Sequence, residues 1–514
     1  MTEFALGLVL LGPLVGGLLV WPTQGRTADR IAVSVAIVVL APAVALAAVA
    51  LGGTVITAFG GVVTVDALGG FTLLVVALVG LIVVAGSPAF LRHAGHEGGP
   101  LAHGRGRYWA LLLWFLGALL VVPLLDNLGL MWVAIEAATI VAAMLVGFSR
   151  TPAAIEAAWK SLILGSVGIG FALLGTLLAY ASSVSVLGAT SDALAWTRLD
   201  AVASQLDPSF MRLAFIFVLV GYGTKTGLAP FHTWLPDAHS QAPSPVSALL
   251  SGAALVVSLY ALARFQTITA GAIGAGLPAT LLVAFGLLSL AVALPFVVAQ
   301  NDLKRLLAYS SIEHMGLAAL ALGFGGPLAL GGLVLHLLAH GLTKGSLFLS
   351  AGGIVEAGRS RQIVRLGGSI GRVPVDGWAF LGGALLLCGL PPSALFVSEL
   401  AIVLGGFQQG WGFAAGLAAL LLALTAAGFL FHVAQISWGR PLRDADVRMS
   451  AGMGDRAGGA PGSAVLMRGV PRPGTWLLIV AAPLLTVAIL GLWTPVPMSD
   501  AISRVVAVLE APGG

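Results

Sequence analysis

With 514 residues, 58% of them hydrophobic and only 9% charged, and a mean hydropathy of +1.02, this chain is too apolar for a soluble globular protein. The formal net charge of +4 is no argument for nucleic acid, because the basic residues are scattered through the segments between apolar runs. Cys388 is the single cysteine, which excludes disulfides, iron–sulfur clusters and cysteine-ligated zinc.

The first apolar run, Phe4 to Trp21, lacks a basic region before it and reads as a retained helix, not a cleaved leader. Fourteen spans are expected, at about 4–21, 31–51, 70–90, 108–125, 128–148, 161–182, 210–228, 243–266, 277–299, 303–324, 326–353, 377–398, 411–437 and 475–494. Each is close to the ~20 residues that cross ~30 Å of hydrocarbon. Residues 53–66 alternate around central glycines and predict a small interfacial hairpin. Residues 438–474, rich in Gly, Pro and Arg, read as a cytoplasmic linker.

Basic residues set the orientation. Of the 25 Lys and Arg, 19 fall in loops after odd-numbered spans, and only Arg198, Arg212 and Arg264 in or beside the even-numbered ones. The positive-inside rule therefore places the odd loops in the cytoplasm and both termini outside. The expected location is a bacterial inner membrane, crossed many times.

Two spans look interrupted. The seventh has Gly221, Gly223, Gly227 and Pro230; the twelfth has Gly389, Pro391 and Pro392. They stand five spans apart, and each carries an ionisable residue beside the break, Lys225 and Glu399. Matched discontinuous helices mark an inverted repeat with a polar site at mid-depth, while ordinary kinks are the alternative. The expected organisation is 1–107 (three helices and the hairpin), 108–266 (first repeat, spans four to eight), 277–437 (second repeat, spans nine to thirteen), 438–474 (linker) and 475–514 (last span and tail).

A polar thread runs through these spans. A charge near the bilayer centre costs at least ~3 kcal/mol, so a retained one is usually functional and partnered. Glu136 and Lys225 form the first expected acid–base pair, and Lys344 and Glu399 the second. His232, His336 and His340 join them as candidate proton carriers, because an imidazole titrates near neutrality. Asp237, His239, Lys304, Glu313, His314 and His432 are expected in support. His336 and His340 stand i, i+4, a spacing that could ligate a metal. No carboxylate or thiolate stands nearby in sequence and Lys344 would repel a cation, so neither metal nor cofactor is expected.

Several stretches resemble the antiporter-like subunits of respiratory complex I and the Mrp antiporters. They are Trp132-Val133-Ala134-Ile135-Glu136-Ala137, residues 223–239 from Gly223-Thr224-Lys225 to Pro236-Asp237-Ala238-His239, Ala242-Pro243-Ser244-Pro245-Val246-Ser247, and Asn301-Asp302-Leu303-Lys304-Arg305. Glu156-Ala157-Ala158-Trp159-Lys160, Ser310-Ser311-Ile312-Glu313-His314 and His340-Gly341-Leu342-Thr343-Lys344 are most similar to the hydrogenase-4 component F branch, membrane subunits of group 4 nickel–iron hydrogenases. The resemblance covers about 105 to 437. It implies fourteen spans, two inverted five-helix repeats and a hydrophilic axis on which Glu136, Lys225, Lys344 and Glu399 fall. It also implies proton translocation coupled to redox chemistry elsewhere, with other membrane subunits and, through them, cytoplasmic redox subunits as partners. The family's Lys or His of the eighth span is replaced by serines, so water held by Ser251 and Ser258 is the expected bridge. A cation/proton antiporter, the membrane half of an inorganic-carbon uptake pair and a non-conducting scaffold are the alternatives.

Overall fold

The computed structural model describes residues 2–94, 104–190, 192–440 and 474–510. The linker expected at 438–474 lies outside these apart from its first three residues and its last. The chain is a bundle of helices: α1 (Thr2–Val20), α2 (Gly25–Leu51), a hairpin of β1 (Ile56–Ala58) and β2 (Val63–Val65), α3 (Ala67–Ala94), α4 (Arg105–Val121), α5 (Leu128–Val146), α6 (Pro152–Leu187), α7 (Pro208–Thr226), α8 (Trp234–Gln241), α9 (Ser244–Ile273), α10 (Gly276–Val298), α11 (Leu303–Phe324), α12 (Gly326–Gly358), α13 (Pro374–Leu387), α14 (Ala394–Gln408), α15 (Gly412–Trp438), α16 (Trp476–Leu492) and α17 (Val496–Leu509).

Among the described residues eleven helices are long and apolar enough to cross a membrane, or twelve if α16 and α17, bent by 83°, count as one span. The difference from fourteen has a physical source. Helix α7 carries Arg212, Tyr222, Thr224 and Lys225 and is too polar to count. The expected twelfth span is two short helices, α13 and α14. Helix α17 occupies residues read from the sequence as a tail; it is amphipathic, burying Ala501, Val505, Val506 and Leu509.

Local sequence explains most helix ends. Asn127, Thr151, Asp207, Asp302 and Ser393 cap α5, α6, α7, α11 and α14 by accepting hydrogen bonds from first-turn amides. With Thr151 capping and Pro152 at its first position, α6 starts well before the expected 161.

The break in α7 is narrower than its glycines suggest. The helix continues through Gly221 and Gly223 and ends at Gly227, whose φ of 85° only glycine adopts cheaply. Gly221 serves packing instead: a Cβ there would lie 2.4 Å from the Ala172 nitrogen, so it lets α6 and α7 touch. Gly286 and Gly316 make the same close contact between α10 and α11, where a Cβ on Gly286 would lie 2.7 Å from the Gly316 oxygen. The second break falls where expected, with Gly389 at φ 62° and Ser393 starting α14. The bonds Ala229–Pro230 and Pro391–Pro392 are cis.

Buried ion pairs tie the periphery to this bundle. Arg264, expected at the edge of a loop, is 2% exposed inside α9. It donates to both oxygens of Asp66 at 2.8 and 2.5 Å, and its guanidinium lies 3.8 Å from the Trp196 ring centre. Asp66 also accepts from the Gly69 amide, so this one arginine fixes the join between the hairpin and α3. At the opposite end of α2, Asp29 accepts from Arg105 Nη1 at 3.1 Å and Trp109 Nε1 at 2.9 Å.

Breaking a buried pair from one side leaves an uncompensated charge and costs about 3–5 kcal/mol. Arg264→Met should therefore lower the melting temperature of the purified protein in detergent. Arg264→Met with Asp66→Leu should recover at least half of that loss. Equal melting temperatures for wild type and the single variant would show that the pair is not needed to hold the hairpin.

Candidate functional site

Glu136 and Lys225 face the same helix without touching each other. Ser166 of α6 donates to Glu136 Oε1 at 2.7 Å, while Oε2 is buried without a partner. Lys225 Nζ lies 3.2 Å from the position a Cβ on Gly165 would take, so the neighbouring residue of α6 makes its room. The ammonium stands 5.2 Å from the Trp234 ring centre, and Trp234 Nε1 donates to the Thr224 carbonyl at 2.8 Å. Glu136 and Lys225 interact electrostatically, but no ion pair within 4 Å joins them. The expected acid–base pair is thus an acid and a base set on either side of Gly165 and Ser166 and coupled electrostatically, with an aromatic face supporting the cation.

The middle of the thread comes from the segment after the α7 break. Asp237 forms ion pairs with Lys160 at 3.1 Å and with Arg305. That locks the short helix α8 to α6 and α11. Lys304, expected in a loop, is buried in the first turn of α11 and donates to the Ala242 carbonyl at 2.5 Å. His232 is buried with Nδ1 unpartnered. His239 is fully buried between Trp234 and Phe348, with ring centres at 6.3 and 5.8 Å, and it interacts electrostatically with both Lys344 and Lys304. Its Nδ1 lies 2.9 Å from the Leu235 carbonyl, and its Nε2 has no partner. A carbonyl only accepts, so Nδ1 carries the hydrogen and Nε2 presents its lone pair inward.

The serines of α9 do not open a space. Ser251 and Ser311 hydroxyls bond each other at 2.8 Å, and Ser258 donates to the Ala254 carbonyl. A Cβ on Gly252 would lie 3.0 Å from the Gly341 oxygen and from Val79, so the small residues serve helix contact. The water bridge expected at Ser251 and Ser258 therefore finds no room beside Gly252.

The second half holds the densest cluster. Lys344 is 0% exposed, and its Nζ donates to the Leu307 carbonyl at 2.7 Å and to Ser310 Oγ at 2.5 Å. Its acid is Glu313, one turn beyond Ser310, and not Glu399 as paired from sequence. Glu399 Oε1 instead lies 3.9 Å from His314 Nδ1. Its other oxygen packs on Gly389, where a Cβ would be 2.4 Å away. His314 Nδ1 and His336 Nε2 are 3.2 Å apart, and His336 Nδ1 lies 3.0 Å from Ser398 Oγ. His340 stacks near both rings, at 5.2 and 6.2 Å between centres, with both nitrogens unpartnered. A cavity of about 270 Å³ reaches Ser310, Glu313, His314, Cys388 and Glu399. His432 lies elsewhere, its Nε2 donating to the Val298 carbonyl at 3.0 Å and fastening α15 to α10.

Hydrogen-bond direction fixes the tautomers. Ser398 Oγ donates to the Leu395 carbonyl at 2.8 Å, so it accepts from His336 Nδ1. His336 Nε2 is then an acceptor, and His314 Nδ1 is the donor to it. A proton added at His314 can leave as a different proton at His336 Nδ1, one hydrogen bond further on. Sequence reasoning places Glu313 and His314 in supporting roles and misses Ser166, Ser310 and Ser398. Ser166 and Ser310 each stand next to a charged residue in space, whereas Ser398 touches His336 in space and precedes Glu399 in sequence.

Comparison with known proteins identifies the architecture. Residues 126–425 match the family model described as NADH:quinone oxidoreductase/Mrp antiporter, TM. The chain is 44% identical over 319 residues to a hydrogenase-4 component F homolog of Methylacidiphilum infernorum, covering 62% of this chain and 67% of that protein. It is 33% identical over 374 residues to NADH-quinone oxidoreductase subunit N of Desulforudis audaxviator, covering 72% and 71%. The fold matches a chain of the archaeal membrane-bound sulfane sulfur reductase with TM-score 0.83, at 21% identity over 99% of this chain and 98% of that one. It matches a chain of the Mrp complex from Dietzia sp. DQ12-45-1b with TM-score 0.80, at 21% identity over 100% and 98%. A polytopic helical fold, two buried lysines each set beside an acid, and a family match over more than half its length place this chain in the NADH:quinone oxidoreductase/Mrp antiporter family, among its antiporter-like membrane subunits.

Proposed function

We propose that this chain moves protons across a bacterial inner membrane, as one component of a redox-driven complex of the hydrogenase or complex I kind. The observation that carries this is a run of buried groups in ring contact or electrostatic reach, from Glu136 and Lys225 through Trp234 and His239 to Lys344 and Glu313. A buried ammonium that keeps an acid near, but unpaired or only electrostatically coupled, can hold or release a proton when that acid's field changes. Glu136 is placed to act on Lys225, and Glu313 on Lys344. From Lys344 the path continues through Ser310 and Glu313 to His314, His336 and Glu399, with His340 beside them. His232 stands at the first break. No redox centre or cofactor enters this reading; electrons belong to partner subunits.

The two broken helices, α7 and α13–α14, support two inverted repeats in 108–266 and 277–437 and a count of fourteen spans when broken spans are included. Glu136 is only half-buried, on a face of α5 and α6 with Val133 and Ile163 exposed, which fits cover by a neighbouring membrane protein of the same complex. The relatives are subunits of multi-subunit membrane complexes, which supports such partners. A cation/proton antiporter is the second reading. It is favoured by 33% identity over 311 residues to a Na(+)/H(+) antiporter subunit of Alkalihalophilus pseudofirmus, of which the match covers 37%.

Lys225→Ala in the assembled complex should reduce proton translocation at least ~10-fold, the effect of losing a required proton carrier. Assembly and partner redox activity should persist. Wild-type translocation in that variant would favour the scaffold reading, and sodium-dependent flux in the wild type would favour the antiporter.

His239 replaces the missing base of the eighth span as the titratable step between halves. His239→Leu should therefore lower proton flux at least ~10-fold, while Ser251→Ala should change it less than about twofold. The reverse ranking would return the bridge to the α9 serines.

The basic-residue bias puts Gln24 in the cytoplasm and Ser499 outside, and the two lie towards opposite ends of α2. Gln24 and the Asp29–Arg105 pair stand at one end of α2, and Arg504 of α17 reaches the Leu51 carbonyl at the other, at 2.7 Å. With Cys388 replaced by Ala, cysteines introduced at Gln24 and Ser499 should label with an impermeant thiol reagent from the cytoplasm and from outside, respectively. Labelling of both from one side would overturn the proposed topology.

A further inference from the structure

We propose that His314, His336 and Glu399 form a binding site for a borderline divalent metal ion, Zn²⁺ by chemistry, whose occupancy blocks the second half of the thread. The three residues come from α11, α12 and α14, and their ligand atoms all lie within 4.8 Å of one another. A tetrahedral site with Zn–N near 2.05 Å needs ligand atoms about 3.3 Å apart. His314 Nδ1 and His336 Nε2 already stand at 3.2 Å, so the ion takes the place of the proton they share. Glu399 Oε1, at 3.9 Å from His314 Nδ1, closes the third edge with a small rotation. The fourth position belongs to water in the adjoining cavity of about 270 Å³, or to His340, which has two free nitrogens beside both rings.

Two further features fit a metal. His336 Nδ1 is held by Ser398, the outer contact that aims an imidazole at a metal. The ammonium of Lys344 opposes the ion, but it is turned onto the Leu307 carbonyl and Ser310, and Glu313 and Glu399 supply two carboxylates around the cavity. The i, i+4 pair His336 and His340 suggests a metal in sequence but lacks a third ligand nearby. The fold brings His314 and Glu399 to His336 from 22 and 63 positions away in sequence.

Binding has a chemical consequence. The ion occupies the lone pair of His336 Nε2 and requires that of His314 Nδ1, so the His314 proton moves to its Nε2 and the hydrogen bond between the rings is gone. No proton then passes from His314 to His336. This consequence rests on the proton-translocating reading, whereas the site itself does not.

The test is titration of Co²⁺ into the full chain, purified without a polyhistidine tag in lipid nanodiscs, followed by visible absorption and by Zn²⁺ competition. We expect one Co²⁺ per chain with tetrahedral absorption, displaced by Zn²⁺. Affinity should fall about 100-fold or more in His314→Gln and in His336→Ala, about 10-fold in Ser398→Ala, and not at all in His432→Ala. Absence of a saturable signal, or a signal that persists when His314 and His336 are both replaced, overturns the site. Proton flux measured with and without Zn²⁺ separates the two claims. A bound metal with flux insensitive to Lys225→Ala sinks the transport reading and leaves the site. Flux lost in Lys225→Ala, with no metal signal, does the opposite. Flux that depends on Lys225 but ignores a bound Zn²⁺ overturns the blocking role.

Discussion

An ammonium inside hydrocarbon cannot spread its field into water, so whatever surrounds Lys225 and Lys344 must supply that stabilisation locally. The two lysines receive it in different ways, and much of the bundle follows from the difference. Lys344 has a carbonyl and a hydroxyl as direct acceptors and an acid one turn along α11. Lys225 has an aromatic face and a more distant acid. The first arrangement favours a well-held charge, and the second a charge that a small movement of Glu136 or Trp234 can upset. Glycine matters here for geometry more than flexibility: Gly165 has no side chain because the Lys225 ammonium occupies that place.

Discontinuous helices solve the same problem for the backbone. Unwinding a span frees amides and carbonyls that lipid cannot satisfy, so breaks survive only where protein surrounds them. After Gly227, the Leu228 amide returns to the Gly223 carbonyl, the Ala229 amide donates to Ser289 of α10, and Trp234 takes the Thr224 carbonyl. After Gly389, the Leu390 amide returns to the Leu385 carbonyl and Ser393 donates to the Leu386 carbonyl. Each break is therefore closed by hydrogen bonds, and the lysine or carboxylate beside it sits against a fixed wall.

Composition and motif carry the fold class, the membrane setting and the family, because apolarity and long contiguous motifs are properties of the sequence itself. Lys225, Lys344, His336 and His340 are legible for the same reason, since charge inside an apolar run is visible without coordinates. Pairings are less legible. Symmetry between halves matches Glu399 to Lys344, but helix rotation turns Glu399 towards His314 and leaves Glu313 as the acid beside Lys344. Opposite charge joins Glu136 to Lys225, yet α6 stands between them. Arg264 reads as a loop residue because its partner Asp66 lies 198 positions away, and hydropathy cannot see a partner at that separation.

The eighth span carries no lysine or histidine, while a buried imidazole, His239, stands on the short helix before it. Along the sequence α9 offers only serines, and there the thread looks cut. The short helix α8 leads directly into α9, and Ser247 of α9 donates to the His239 carbonyl at 2.8 Å. That bond pins α8 where the His239 ring can lie against Phe348 of α12, four residues past Lys344. His239 is thereby a buried imidazole held by a short helix and not by a spanning one. Gly252 of α9 in turn meets Gly341 of α12, where a Cβ on either would lie 3.0 or 2.9 Å from the other's carbonyl oxygen. The glycine of α9 and the histidine of α8 thus meet the same helix: α9 packs closely on α12 at Gly252 and Gly341, and the His239 ring reaches α12 at Phe348.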